Sequence, residues 1–184
     1  MNLVSGDASV EPGDDAVGFG ALTSSTDGRF LAFESAADNL VPGETNSRLD
    51  IFVKDTRTGV LTRVSVDAAG GEGVEDSYGS VSISKDGRWV VFRSDASNLV
   101  PGDTNARPDI FMKDMQTGAI IRISTDSAGA EARSDSESAT ITDDGRWVAL
   151  DSAAANLNSG DTNNKKDIIL KDIHSGATTR VSGV

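Results

Sequence analysis

One sequence unit occurs three times in the chain, and this repeat restricts the possible folds more than any other feature. The first landmark is Asp-Gly-Arg followed by apolar residues, at 27–33, 86–92 and 144–150. Two more landmarks, Gly-Glu/Asp-Thr-Asn from residues 43, 102 and 160 and Asp-Ile-x-x-Lys-Asp from 50, 109 and 167, keep the same steps of 59 and 58 residues. Constant register over three landmarks predicts a tandem array. We interpret 1–184 as a single array with repeats at approximately 3–62, 63–121 and 122–179.

Each repeat is predicted to form four short strands. In the middle repeat, residues 80–84 alternate apolar and polar side chains with the period of two that a half-buried strand shows. The pair Asp86-Gly87 then predicts a tight turn into a second strand at 88–93, because glycine tolerates positive φ. A loop of roughly fifteen residues leads to a third strand at 109–113, and Thr117-Gly118 turns the chain into a fourth at 119–124. No segment has the 3.6-residue period of an amphipathic helix.

The second and third strands carry unbroken apolar runs, such as Trp89–Phe92 and Ile110–Met112. Such runs are typical of strands that are buried on both faces. Four antiparallel strands per repeat with both faces covered describe a blade of a β-propeller. The predicted fold class is therefore all-β, a β-propeller with three four-stranded blades per chain. A β-sandwich with accidental internal similarity is the alternative, and the constant register disfavours it.

The order of motifs resembles the TolB-like, WD40-like β-propeller repeat of bacteria. The matching elements are Ser-x-Asp-Gly-Arg, Asp-Ile-Phe-x-Lys-Asp, Thr-Gly and Arg-Val/Ile-Ser, and residues 97–105 are similar to a long-loop subgroup common in predicted secreted proteins. The resemblance covers nearly the whole chain. It implies a propeller fold and an extracellular or periplasmic bacterial location, although residues 1–10 do not look like a signal peptide. It leaves function open, because such propellers serve as scaffolds, receptors and enzyme domains.

Three blades are too few for a closed ring, since propellers typically have four to eight. We expect the outer faces of the first and third blades to expose apolar surface. A homodimer would complete a six-bladed ring and a homotrimer one of nine blades; the alternative is that the chain is part of a longer propeller. Residues 3–5, Leu-Val-Ser, match the fourth-strand signature at 63–65 and predict a surplus outer strand at the N-terminus.

Charge and composition exclude several partners. The chain has 29 acidic and 17 basic residues and a formal net charge of −12. Nucleic acids and anionic membranes are disfavoured because both require clustered lysine and arginine. No apolar run approaches the roughly 20 residues of a membrane span. The absence of cysteine excludes disulfides, thiolate metal sites and a cysteine nucleophile.

The long loops between the second and third strands carry the pattern Asp-x-Asn-x-x-x-Asp, with Glu replacing the first Asp once. Carboxylate and amide oxygens in a compact loop are typical ligands of Ca²⁺. The alternative is turn capping, in which Asp and Asn bond their own backbone. The candidate calcium ligands are Asp103, Asn105, Asp109, Asp161, Asn163, Asp167, Glu44, Asn46 and Asp50.

Two classes of function fit these observations. The first is a non-enzymatic binding or scaffold module that oligomerises and binds calcium, a protein or a small-molecule ligand on the acidic long-loop face. The second is a carbohydrate-active hydrolase or lyase with a carboxylate-lined central channel. The only histidine, His174, is predicted to lie in a short turn, which argues against a Ser-His-Asp triad. The repeated Lys-Asp pairs, such as Lys113-Asp114, are predicted to be structural contacts between blades.

Overall fold

The computed structural model describes residues 17–43, 45–162 and 165–182, and its strands form three four-stranded antiparallel sheets. We call these sheets blades 1, 2 and 3. Blade 1 contains β1 (Val17–Ser24), β2 (Phe30–Ser35), β3 (Asp50–Asp55) and β4 (Leu61–Arg63). Blade 2 contains β5 (Val81–Ile83), β6 (Trp89–Ser94), β7 (Asp109–Asp114) and β8 (Ile120–Arg122). Blade 3 contains β9 (Ser136–Ile141), β10 (Trp147–Ser152), β11 (Asp167–Asp172) and β12 (Thr178–Arg180).

The predicted all-β class and the four strands of each repeat are confirmed. Strands within a blade follow one another in sheet order, so that each pairs with its neighbour in the chain. Within the described ranges, helical structure is limited to one 3₁₀ turn at Ala155–Leu157, and there is no helix long and apolar enough to cross a membrane. The predicted surplus strand at residues 3–5 lies outside the described residues.

The Asp-Gly-Arg turn recurs because each of its residues has a local role. In blade 2, Ser84 Oγ donates a hydrogen bond to Asp86 Oδ1 (2.6 Å), and the same carboxylate accepts the Arg88 amide (3.0 Å). Gly87 has φ +73°, a conformation in which a side chain would be strained. This turn fixes the register in which Ile83 of β5 pairs with Val90 of β6.

The apolar core lies between blades rather than within them. Side chains of β6 alternate: Val90 and Phe92 pack against Ile51 and Val53 of blade 1, whereas Val91 faces blade 3. Both faces of the middle strands are therefore covered in blade 2, and β7 is buried along its whole length. This arrangement confirms the interpretation of the unbroken apolar runs.

The first strands of successive blades contact one another. The hydroxyls of Ser80, just before β5, and of Ser82 on β5 accept hydrogen bonds from the backbone amides of Ala139 and Ile141 on β9, at 3.0 and 3.2 Å. Because the strands are antiparallel, the loops between the second and third strands of each blade emerge at the same end of the sheet as the linkers between blades. That long-loop end carries the candidate calcium residues.

Candidate functional site

In blade 2 the candidate calcium residues surround an arginine side chain. Arg122, at the end of β8, places Nη1 3.1 Å from Asp103 Oδ1 and 3.4 Å from Asp109 Oδ2. A third carboxylate, Glu131 from the linker to blade 3, lies 2.9 Å from the same nitrogen. The side-chain nitrogen Nδ2 of Asn105 donates to Asp109 Oδ2 (2.9 Å) and to the carbonyl of Ala132 (3.0 Å). The structure therefore brings the three predicted residues together around a guanidinium group.

The surroundings shift the pKa values of the three carboxyl groups, Asp103, Asp109 and Glu131, in different directions. Burial raises the pKa of Asp103, and the nearby charge of Asp109 raises it further. Burial also raises the pKa of Asp109, although hydrogen bonds from Ser124 and Asn105 oppose that shift. Hydrogen bonds from the Thr104 hydroxyl and amide lower the pKa of Glu131. The cluster thus contains two carboxyls that are costly to ionise and one that is readily ionised.

Asp109 also anchors the loop to the outer strand. Its carboxylate accepts a hydrogen bond from Ser124 Oγ, and that hydroxyl accepts the backbone amide of Ile110 at 3.1 Å. Ser65 and Asp50 repeat this arrangement in blade 1, with Ser65 Oγ also accepting the Ile51 amide. Asp109 therefore holds the entrance to the third strand through the Ser124 hydroxyl, whereas the capping alternative would have it bond its own backbone.

The other two blades repeat the arginine-centred arrangement with the residues that are described. In blade 1, Arg63 Nη1 contacts Glu72 and lies 3.9 Å from Asp50 Oδ2. In blade 3, Arg180 Nη1 lies 3.6 Å from Asp167 and 3.9 Å from Asp161. Asn46 donates to the carbonyl of Gly73 in the linker (3.1 Å), as Asn105 does to that of Ala132. Glu44 and Asn163, the remaining candidates, lie outside the described residues.

Sequence reasoning missed the arginines and the linker glutamates of these clusters. The available signal was the Arg-Val/Ile-Ser motif, which recurs in step with the loop landmarks. Within the described residues, no group of three or more Asp, Glu or His is arranged to hold a metal ion. Calcium therefore stays a prediction for these loops, and the arginine is the cation that the structure places among the carboxylates.

The short-turn end carries a second repeated ion pair. Arg88 donates to Asp114 through Nε (3.2 Å) and Nη2 (2.9 Å) and lies over the Trp89 ring. This arginine lowers the pKa of Asp114 to about 2. Asp114 thus pairs within its own blade, whereas Lys113 donates to the carbonyls of Val66 and Asp67 in the linker between blades 1 and 2. The predicted contact between blades is therefore wrong for the aspartate, and the lysine contacts the linker that joins the two blades.

His174 is exposed in the turn between β11 and β12, and its amide donates to Asp172 Oδ1 (3.0 Å). Its position agrees with the predicted turn.

Blade 3 has an apolar outer face that is buried in the other two blades. We call this the open end face and define it by Ala149, Ile168, Leu170 and Val181. Ile168 is 41% exposed, while its counterparts Ile51 and Ile110 are fully buried. Val181 is 60% exposed, against 0% for Val64 and 1% for Ile123. The backbone amides of Val64, Ile123 and Val181 donate to the carbonyls of Ile51, Ile110 and Ile168, respectively. The three blades therefore have the same backbone arrangement at this place. The difference arises because the next blade covers the face in blades 1 and 2.

The outer face of blade 1 differs from the expectation that it would expose apolar surface throughout. Phe33 and Phe52, the counterparts of Phe92 and Phe111, are 2% and 0% exposed and form a cluster with Leu40. Exposed apolar surface on this side is found on the inner strand, where Leu22 is 74% exposed. The two ends of the array are therefore not equivalent.

Comparison with solved structures identifies the architecture. TolB from Acinetobacter baumannii superposes with a TM-score of 0.53 at 22% identity over 89% of this chain and 32% of its own length. Putative TolB from Agrobacterium tumefaciens gives 0.54 at 19% identity over 90% and 48%. The β-propeller domain of the Trilobed protease from Pyrococcus furiosus gives 0.51 at 16% identity over 88% and 42%.

The chain has a β-propeller fold. It spans about a third to a half of the length of these three structures, and the identities show the fold alone. Neither the protein-family models nor the curated proteins contain a match to it. The predicted TolB-like propeller is thus supported at the level of fold.

Proposed function

We propose that this chain is a non-enzymatic β-propeller module that assembles with a second copy through the open end face of blade 3. The observation that carries the proposal is the exposure of Ile168 and Val181 at positions that are buried in both preceding blades. The three blades share the same backbone hydrogen bond here, and each carries aliphatic side chains at the two positions. The face is therefore built as a packing surface for a blade.

The energetics of the open end face favour association. Burying an aliphatic side chain of this size contributes about 1.5–3 kcal/mol relative to exposure. Ile168 and Val181 are 41% and 60% exposed, so completing their burial provides about 2 kcal/mol in total, and Leu170 and Ala149 are also partly exposed beside them. Alternating strand geometry places Ile169 on the opposite side, in the core shared with blade 2. The net charge of −12 opposes association and makes it dependent on ionic strength.

The arrangement of the carboxylates supports a scaffold rather than a hydrolase. The loop carboxylates of each blade surround an arginine of the fourth strand in closely similar ways. Enzymes usually break the symmetry of a repeat at the active site, whereas these three clusters stay near-equivalent. In this proposal the acidic long-loop face is available to a protein or small-molecule ligand. The TolB-like resemblance further leads us to propose an extracellular or periplasmic location.

A charge-matched pair of variants tests the proposal. Ile168→Glu places a charge on the open end face, and Ile121→Glu places one at a 47% exposed position in the middle of β8. We expect light scattering at micromolar concentration to show association for wild type and Ile121→Glu but not for Ile168→Glu. A wild type that remains monomeric, or equal association of both variants, would contradict the proposal.

A further inference from the structure

An aromatic ring of one blade packs against a glycine of the next blade at both described junctions. A Cβ atom built on Gly87 would lie 2.3 Å from Cδ2 of Phe30, and one built on Gly145 would lie 2.2 Å from Cδ1 of Trp89. Real Cβ contacts do not reach such distances. The ring that follows each Asp-Gly-Arg turn therefore occupies the space that the glycine of the following turn leaves free. This contact is one reason why the turn requires glycine in blades 2 and 3.

The chain also contains the two separate halves of a third junction. Trp147 of blade 3 is the counterpart of Phe30 and Trp89, and it lies half-buried beneath Arg146 at 5.1 Å. Gly28 of blade 1 has φ +72°, against +73° and +72° for Gly87 and Gly145. Among the described residues, nothing lies within 4 Å of a Cβ built on Gly28, and the residue is exposed where the other two glycines are buried.

We infer that Trp147 of one copy packs against Gly28 of a second copy. This inference rests on the proposed function and specifies the partner and its orientation. The open end face then meets the first blade of the partner, in the order in which blade 1 meets blade 2. A face-to-face dimer of two third blades would leave each Trp147 without its glycine. Two copies related by a twofold axis form two such junctions and close a six-bladed ring.

Two features of blade 1 indicate where the new contact forms. Leu22 is exposed, whereas its counterparts Val81 and Ala139 pack against the core of the preceding junction. Phe33 and Phe52 are already covered in the chain. The incoming blade therefore meets Leu22 and Gly28 directly, and its Ile168 and Val181 pack on the surface that covers Phe33 and Phe52 rather than on the two rings.

The first experiment compares Gly28→Ala with Gly118→Ala. Both glycines have positive φ, +72° and +78°, and neither has an atom within 4 Å of its built Cβ among the described residues. The backbone cost of alanine is therefore matched, and only Gly28 is predicted to meet Trp147 of a partner. We expect Gly118→Ala to associate like wild type and Gly28→Ala to associate at least tenfold more weakly in sedimentation equilibrium.

A mixing experiment then tests the orientation. Trp147→Ala and Gly28→Ala should each dimerise poorly alone. In a mixed dimer, the intact Trp147 of the Gly28→Ala chain meets the intact Gly28 of the other chain, so one native junction is restored. We expect native mass spectrometry to show the mixed dimer in excess over both homodimers.

The outcomes separate this inference from the proposed function. If association is abolished by Ile168→Glu but unaffected by Gly28→Ala, the open end face binds a different surface, and the inference is wrong while the proposed function holds. If mixing gives no excess of the mixed dimer, the head-to-tail orientation is wrong. If wild type does not associate, both are wrong.

Discussion

The junction between blades 2 and 3 provides a quantitative test of the aromatic–glycine contact within one chain. The perturbation is Gly145→Ala, and the control is Gly118→Ala. An L-residue in the left-handed region costs about 1–2 kcal/mol, and this cost applies to both positions because both have positive φ. At Gly145 the added methyl group would also overlap Trp89, at 2.2 Å from Cδ1. Overpacking of this kind typically adds about 1–3 kcal/mol.

We therefore expect Gly145→Ala to be less stable than Gly118→Ala by about 2 kcal/mol. For a protein of this size, that difference corresponds to roughly 4–8 °C in melting temperature. Differential scanning calorimetry and urea denaturation of both variants, at concentrations where each is monomeric, measure the difference. Equal stability of the two variants would show that the Trp89 ring moves aside at little cost. The aromatic–glycine contact would then not determine how blades pack.

The remaining predictions concern the arginine-centred clusters. Burial raises the pKa of Asp103 and Asp109, so the folded state binds protons at these carboxyl groups more tightly than the unfolded state does. We therefore expect urea denaturation to show that the free energy of unfolding rises as the pH falls from 7 toward about 4. The rise should be smaller in Asp103→Asn. Below about pH 4 we expect the free energy of unfolding to fall again, because Arg88 lowers the pKa of Asp114 to about 2 and that stabilisation is lost as the carboxylate is protonated. A free energy of unfolding that falls steadily from pH 7 downward would contradict this prediction. Arg122→Gln leaves three carboxylates without their cation, and we expect calcium to raise its melting temperature by several degrees over chelator, and more than for wild type. Identical melting of Arg122→Gln with calcium and with chelator would contradict calcium binding at this loop.

Strand positions were predictable because they depend on local signals. The period of two in residues 80–84 and the turn at Asp86-Gly87 involve neighbours in the chain, and β5 and β6 lie where these signals place them. The repeat then transfers the assignment to the other two blades. The buried middle strands followed from composition alone, because β6 and β7 lack polar residues in their central positions.

Contacts between distant residues were not predictable in the same way. The pattern Asp-x-Asn-x-x-x-Asp identified residues that lie together, but Arg122 comes from the outer strand and Glu131 from the following linker. A cation was expected among these carboxylates, and a side chain of the same chain supplies one. Sequence spacing could not distinguish a guanidinium from a bound ion, since both satisfy the same oxygens.

The open end face shows a further limit of sequence reasoning. The repeat predicts that both terminal blades lack a neighbour, and it treats them alike. In the structure, Ile168 is exposed while Phe33 is buried, so exposure depends on packing at each end. The aromatic–glycine junction is visible in the sequence as a recurring Gly-Arg-aromatic triplet. Only the structure shows that the ring contacts the glycine of the next repeat rather than its own.

The solution mass of the wild-type chain shows whether the open end face of blade 3 binds a second copy. Multi-angle light scattering at micromolar concentration and moderate ionic strength should give about twice the monomer mass of 19.1 kDa. A threefold mass would retain association but replace the six-bladed dimer with a nine-bladed trimer. A mass of 19.1 kDa at every concentration would contradict the claim that the open end face of blade 3 is a surface for a second copy.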